Sequence, residues 1–90
     1  MTFSYTPQGV CSRRMEIEVD DKRETILNLK VIGGCPGNLL GISSLVKNRP
    51  VDEVIALLAG TRCGNKSTSC PDQLAKALTL IKQGGNQQLN

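Results

Sequence analysis

"RRMEIEVDDKRETILNLKVIGG", residues 13–34, decides the fold. Met15, Ile17 and Val19 alternate with Glu16, Glu18 and Asp20, the period of two expected of a strand with one face on a core. A polar turn around Asp21 and Lys22 follows, and Leu27, Leu29 and Val31 then take alternate positions in a second run. Two such runs joined by a short polar turn predict an antiparallel hairpin, ended by Gly33 and Gly34. Upstream, Phe3 and Tyr5 alternate with Thr2, Ser4 and Thr6 in a shorter strand that stops at Pro7 and Gly9.

Beyond Cys35 the period lengthens. Leu39, Leu40, Ile42, Leu45 and Val46 fit a helical stripe with Asn38 as N-cap. Asn48-Arg49-Pro50 breaks the chain. A second helix carries Val51, Val54, Ile55, Leu57 and Leu58, has Asp52 and Glu53 in its positively polarised first turn, and stops at Gly60. The third starts at Cys70 or Pro71, with Leu74, Ala77, Leu78 and Ile81 spaced i, i+3, i+4, i+7, and ends at Gly84-Gly85. Strands first and helices after give an α+β fold: a small antiparallel sheet of about three strands, then three helices packed on one face. Residues 1–84 form a single domain, and 85–90 read as a frayed tail.

Composition narrows the function. A 90-residue chain buries only about 60–65% of its unfolded surface, so the core is thin. With one Phe, one Tyr and no Trp, that core is aliphatic and offers no platform for stacking bases. A net charge of +3 admits an anionic partner without suggesting a nucleic-acid coat. No apolar run approaches the roughly 20 residues that span a bilayer. The opening "MTFSYTPQG" has neither a basic n-region nor an apolar h-region, which predicts a cytoplasmic protein with reduced thiols. An exposed edge on so short a sheet invites pairing, so a homodimer is a candidate state.

Four cysteines, Cys11, Cys35, Cys63 and Cys70, all fall in turns between elements. Buried cysteine as a small hydrophobe is the plain reading, yet none sits on an apolar stripe. Arg13 and Arg14 follow Cys11, and Lys66 follows Cys63. Cys35 and Cys70 each precede a proline at a predicted helix start. Cations and helix N-termini stabilise a thiolate, and they equally hold an external anion. Three chemistries therefore stay open. Four thiolates without histidine suit a closed zinc site, although zinc ligands usually come in C-x2-C pairs and Cys63 and Cys70 have six residues between them. Cys63 and Cys70 could instead act as a redox pair, without the spacing of thioredoxin-like proteins. Arg13, Asn38, Gly64, Asn65, Lys66, Ser67 and Asp72 are candidate anion ligands, with backbone N–H groups of the 64–67 segment as a nest. "GTRCGNKST" is not a Walker motif, because Asn65 separates Gly64 from Lys66 and the preceding element is helical. No histidine is present to serve a serine or thiol hydrolase as base. The Asp72 carboxylate reads first as a first-turn residue, favourable by about 0.3–1 kcal/mol.

"TSCPDQLAKAL" (residues 68–78), together with "YTPQGVCSR", "VIGGCPGNLLGISSLV" and "LLAGTRCGNKSTSCPDQLAKAL", resembles the small stand-alone branch of the TSCPD domain family over residues 3–82. In larger relatives this domain is appended to ribonucleotide reductases. The resemblance implies a link to deoxyribonucleotide synthesis and a reductase or a nucleotide as partner. It does not imply catalysis here, since 90 residues cannot form the large barrel that reductase chemistry uses. The resemblance and the residues together imply a non-catalytic module that gathers the four cysteines with Arg13, Asn38, Lys66 and Asp72 around a nucleotide phosphate or a metal, with zinc as the candidate metal.

Overall fold

A computed structural model describes residues 1–10, 12–33, 36–61, 68–85 and 88–89, with backbone alone at 36–39 and 88–89. Three strands come first, β1 (Thr2–Tyr5), β2 (Ser12–Val19) and β3 (Ile26–Gly33), and three helices follow, α1 (Pro36–Val46), α2 (Val51–Leu58) and α3 (Cys70–Lys82). The fold is α+β. β2 is central and antiparallel to both neighbours, with Ile17 opposite Phe3 on one side and Leu29 on the other. The chain then returns to the sheet. β4 (Gln88–Leu89) pairs parallel with β1, so the stretch read as a frayed tail supplies two residues of strand to an edge that otherwise leaves backbone groups unpaired.

The hairpin forms where its alternation predicts, and Met15, Ile17 and Val19 all face the core. Its phase breaks twice. Glu18 pairs with Asn28 but Val19 pairs with Ile26, which leaves Leu27 as an extra residue on β3. That bulge turns Ile26 into the core, fully buried, and leaves Leu27 37% exposed, where strict alternation predicts Leu27 inside. At the other end Ser12 pairs with Gly33 and Arg14 with Ile32, so Arg13 is the extra residue on β2. A bulge re-aims the side chains on either side of it.

The α1–α2 connection closes part of the free β3 edge. Asn48 takes a positive φ of 64° and donates to the Ile26 carbonyl, while the Ile26 N–H donates to Arg49 and the Val51 N–H to Glu24. α1 begins at Pro36, where a fixed φ and a missing N–H suit a first turn, so Asn38 lies inside that turn and is not its N-cap. α2 stops through Gly60, at φ 83°, as its position predicts. On α3 the predicted stripe is buried, and Leu74, Ala77, Leu78 and Ile81 meet Phe3, Met15 and Ile17 in one core. The stripes of α1 and α2 are narrower than predicted, because Leu40, Leu45 and Leu57 point outward.

Candidate functional site

The string Thr-Ser-Cys-Pro-Asp opens α3, and its residues divide the work of starting a helix. Ser69 is the N-cap: its Oγ accepts the Asp72 N–H at 3.2 Å and donates to the Thr61 carbonyl at 2.6 Å. Pro71 occupies the first turn, where its missing N–H has no helical partner to lose. The Gln73 N–H donates to the Ser69 carbonyl. Cys70 is the first helical residue, half-buried against the rim of the core.

Asp72 does more than face a helix dipole. Only 5% of it is exposed. Its carboxylate accepts the Thr68 hydroxyl and the Gly60 N–H at 2.7 Å, with Lys76 Nζ at 3.4 Å. The Thr68 hydrogen bond, then the Gly60 N–H, with Lys76 adding to them, hold the carboxyl below the usual carboxylate range against the opposing effect of burial. Thr68 Oγ1 in turn accepts Gln73 Nε2 at 2.9 Å. Gln73 Oε1 accepts both the Tyr5 hydroxyl and the Gln8 N–H, each at 2.9 Å. Burial, and next the Asp72 charge, push the Tyr5 hydroxyl above its ordinary pKa. This buried polar chain ties β1, α3 and the end of α2 together, and among the described residues no buried side-chain N or O lacks a partner. Gly60 and Thr61 on one side of positions 62–67, and Thr68 and Ser69 on the other, are thereby held together at the start of α3.

Two further segments reach the same place. Gly9 takes a φ of 71°, and a Cβ there would lie 3.4 Å from Thr68 Cγ2, so the β1–β2 connection rests on the TSCPD string. Ser12 Oγ lies 3.3 Å from Cys70 Sγ, within hydrogen-bonding distance. Strict alternation would put Ser12 on the face opposite Met15. The bulge at Arg13 reverses that and buries Ser12 to 5% exposure. Across from Ser12 stands Gly33, whose φ of 82° brings the backbone under the Arg13 stem. A Cβ there would fall 3.0 Å from Arg13 Cγ.

Of the predicted site residues, Arg13, Asn38, Cys70 and Asp72 are described. Arg13 is exposed on the bulge, Asn38 lies in the α1 backbone, and Cys70 and Asp72 share the first turn of α3. Cys11, Cys35, Cys63, Gly64, Asn65, Lys66 and Ser67 lie outside the described residues. Their described neighbours do gather: Ser12 adjoins position 11, Gly33 precedes position 35 by two, and Thr61 and Thr68 flank the segment that holds Cys63. Among the described residues no group of three or more His, Cys, Asp or Glu forms a metal cluster.

The start of α3 is already furnished by the chain's own polar groups. The N–H groups of Asp72 and Gln73 are taken by Ser69, Pro71 has none, and a buried carboxylate occupies the first turn. A helix N-terminus usually offers unpaired N–H groups, and here those of Asp72 and Gln73 are satisfied by Ser69. An external anion beside Asp72 would meet like charge.

Ser12, Thr68, Gln73, Tyr5 and Gly60 all fall inside the strings that carry the family resemblance, but the sequence reading gives none of them a place in the site. The sequence signal for Ser12 is a broken phase, three positions from Ser12 to Met15 where a regular strand would use two or four.

A family model of the TSCPD domain matches residues 1–82. The chain belongs to the TSCPD domain family. Domains of this family are found appended to ribonucleotide reductases. No curated protein and no solved structure matches the chain. The described TSCPD residues contain no helix long and apolar enough to cross a membrane.

Proposed function

We propose that this TSCPD domain is a non-catalytic accessory module of ribonucleotide reduction that holds one zinc ion on Cys11, Cys35, Cys63 and Cys70. The observation that carries the reading is the placement of Ser12 on Cys70 with Gly33 opposite, which brings described neighbours of Cys11 and Cys35 towards the start of α3, where Ser69 also holds Thr61, two residues before Cys63. Zinc bound by four thiolates would supply a closed structural crosslink. The residues themselves provide a frame for it: the Asp72 carboxylate holds Gly60 and Thr68, which lie on either side of positions 62–67, and Ser12 Oγ lies 3.3 Å from the Cys70 sulfur. The tie to ribonucleotide reduction rests on the family, and the partner this reading implies is a reductase subunit.

The test is metal analysis of the full chain purified in reductant without chelator. One zinc per chain is expected, and chelation should lower the melting temperature because binding free energy of a structural metal is folding free energy. Cys70→Ser should abolish stoichiometric binding. A chain that retains no metal and takes up no Co2+ saturably would overturn the reading. Saturable binding of a nucleoside diphosphate by that metal-free chain would favour the anion site instead.

A further inference from the structure

The bulge that turns Ser12 towards Cys70 also acts on the other side of the sheet. Ser12 and Met15 are both buried on the helix side, so Arg13 and Arg14 between them both stand exposed on the outer face. Regular alternation would turn one of the two inward, and the extra residue on β2 prevents it. The Arg13 stem lies across Gly33, where a Cβ would meet Arg13 Cγ at 3.0 Å and Cδ at 3.4 Å. A stem resting on the chain's own backbone leaves less side-chain freedom to lose when its guanidinium binds. Arg14 pairs with Glu16 at 3.5 Å. Arg13 makes no ion pair among the described residues, and neither does Lys30, which is exposed opposite Glu16 on β3. Against these three cations this end of the described outer face carries one acid, Glu16. Glu18 lies further along β2, opposite Thr2 and Asn28, and the β1–β2 connection, residues 6–11, contains no acidic residue.

We infer that this end of the outer sheet face docks an acidic segment of a partner protein, whose carboxylates are taken by Arg13 and Arg14. Charge complementarity selects that occupant. A guanidinium fork receives a carboxylate through two parallel hydrogen bonds, and Arg13 has no carboxylate of its own to give up. A nucleic acid fits less well. The described residues of this face offer no ring on which a base could stack, and Glu16 and Glu18 interrupt the positive strip that a phosphate backbone would follow. A small free anion also fits less well, since such ligands are held in concave sites and these side chains stand exposed on a sheet whose buried residues face the helices on its other side. The surface uses none of the four cysteines and lies on the side of the sheet away from Asp72, so its partner can bind whether or not the chain holds zinc.

Fluorescence anisotropy of a fluorescein-labelled, glutamate-rich peptide titrated with the full chain in reductant tests the surface. The expected result is saturable binding that weakens as salt rises and falls about tenfold in Arg13→Glu and in Arg14→Glu, with circular dichroism unchanged. Arg13→Gln repeats the test without a reversed charge should Arg13→Glu lose helical signal. Lys22→Glu makes the same change of net charge in the exposed β2–β3 turn and should leave the affinity within about twofold. Absence of saturable binding overturns the proposal. An equal loss in Lys22→Glu also overturns it, by reducing the effect to net charge. So does tighter binding of a labelled oligothymidylate than of the peptide, which would assign the face to nucleic acid.

Discussion

Ser12 and Cys70 are 58 residues apart in sequence, and Ser12 Oγ lies 3.3 Å from Cys70 Sγ because a single extra residue, Arg13, reverses the strand's phase. In the zinc reading the hydroxyl steadies the sulfur from outside the ligand set. Partners of that kind typically matter by 10–100-fold in metal affinity. Ser12→Ala should therefore weaken zinc binding by about that factor, measured by competition with a chromophoric chelator, and Ser12→Thr should recover most of it. Unchanged affinity in Ser12→Ala would assign the contact to packing alone.

Asp72→Asn should cost about 2 kcal/mol in urea unfolding, since hydrogen bonds to a charged group and buried unmet polar atoms each count for roughly 1–3 kcal/mol. The amide keeps one acceptor oxygen, and its NH2 must face either the Thr68 hydroxyl or the Gly60 N–H, which both donate to the carboxylate. A loss of a few tenths of a kcal/mol, the size of a helix-dipole effect, would mean that the network is easily replaced.

The same carboxyl sets an acid limit. Its pKa in the folded chain lies below the ordinary value, so the folded state prefers the carboxylate. Its contribution is complete above the unfolded pKa and fades as pH falls through the folded one. Unfolding free energy should decline from about pH 5 downward, and Asp72→Asn should flatten that limb. Asp20, lowered chiefly by the Glu24 and Thr25 N–H groups, acts in the same direction and leaves some slope. Tyr5 is raised, so its contribution is full below the ordinary tyrosine range and is lost as pH climbs through the folded pKa. Tyr5→Phe should blunt the alkaline loss.

How far the sequence reaches is visible strand by strand. Met15, Ile17 and Val19 are legible because alternation is a local property, and the α3 stripe is legible because four positions at helical spacing share one face. The bulges at Leu27 and Arg13 are tertiary choices. Each inserts one residue so that both ends of a hairpin meet the helices, and no local pattern announces that. The pairing of Asp72 with Gly60 across twelve positions is hidden for the same reason: a first-turn aspartate looks alike whether water or a buried loop receives its second oxygen. The leucines of α1 and α2 fit a core stripe in sequence, and only packing reveals that part of the stripe faces outward.

Gly33 should resist substitution although it ends a strand. Its φ of 82° is unfavourable for any residue with a Cβ, and that Cβ would crowd Arg13 Cγ at 3.0 Å and Arg13 N at 3.2 Å. The arginine stem can swing away, but its backbone nitrogen cannot. Gly33→Ala should destabilise by about 1–3 kcal/mol. By disturbing the bulge that aims Ser12, it should weaken metal binding as well. Arg13→Ala relieves only the flexible contact, so the double variant should recover little stability.

Arg23 lies at the far end of α3 and separates folding from the site. It holds a φ of 59°, donates from Nη1 to the Ile81 and Gly85 carbonyls at 2.9 and 3.1 Å, and sets its guanidinium 4.9 Å from the centre of the Phe3 ring. These contacts satisfy the last turn of α3 and place positive charge where the helix dipole is negative. Arg23→Ala removes all three and keeps the backbone strain, for an expected loss of about 1–2 kcal/mol. Arg23→Gly relieves the strain and should lose less. A helix of 13 residues is about 20 Å long, so neither change should alter zinc affinity in folded protein. Measuring both quantities on both variants tests the division of labour: if Arg23→Ala weakened zinc binding as much as Ser12→Ala, the two ends of α3 would be coupled and the site would depend on the whole helix.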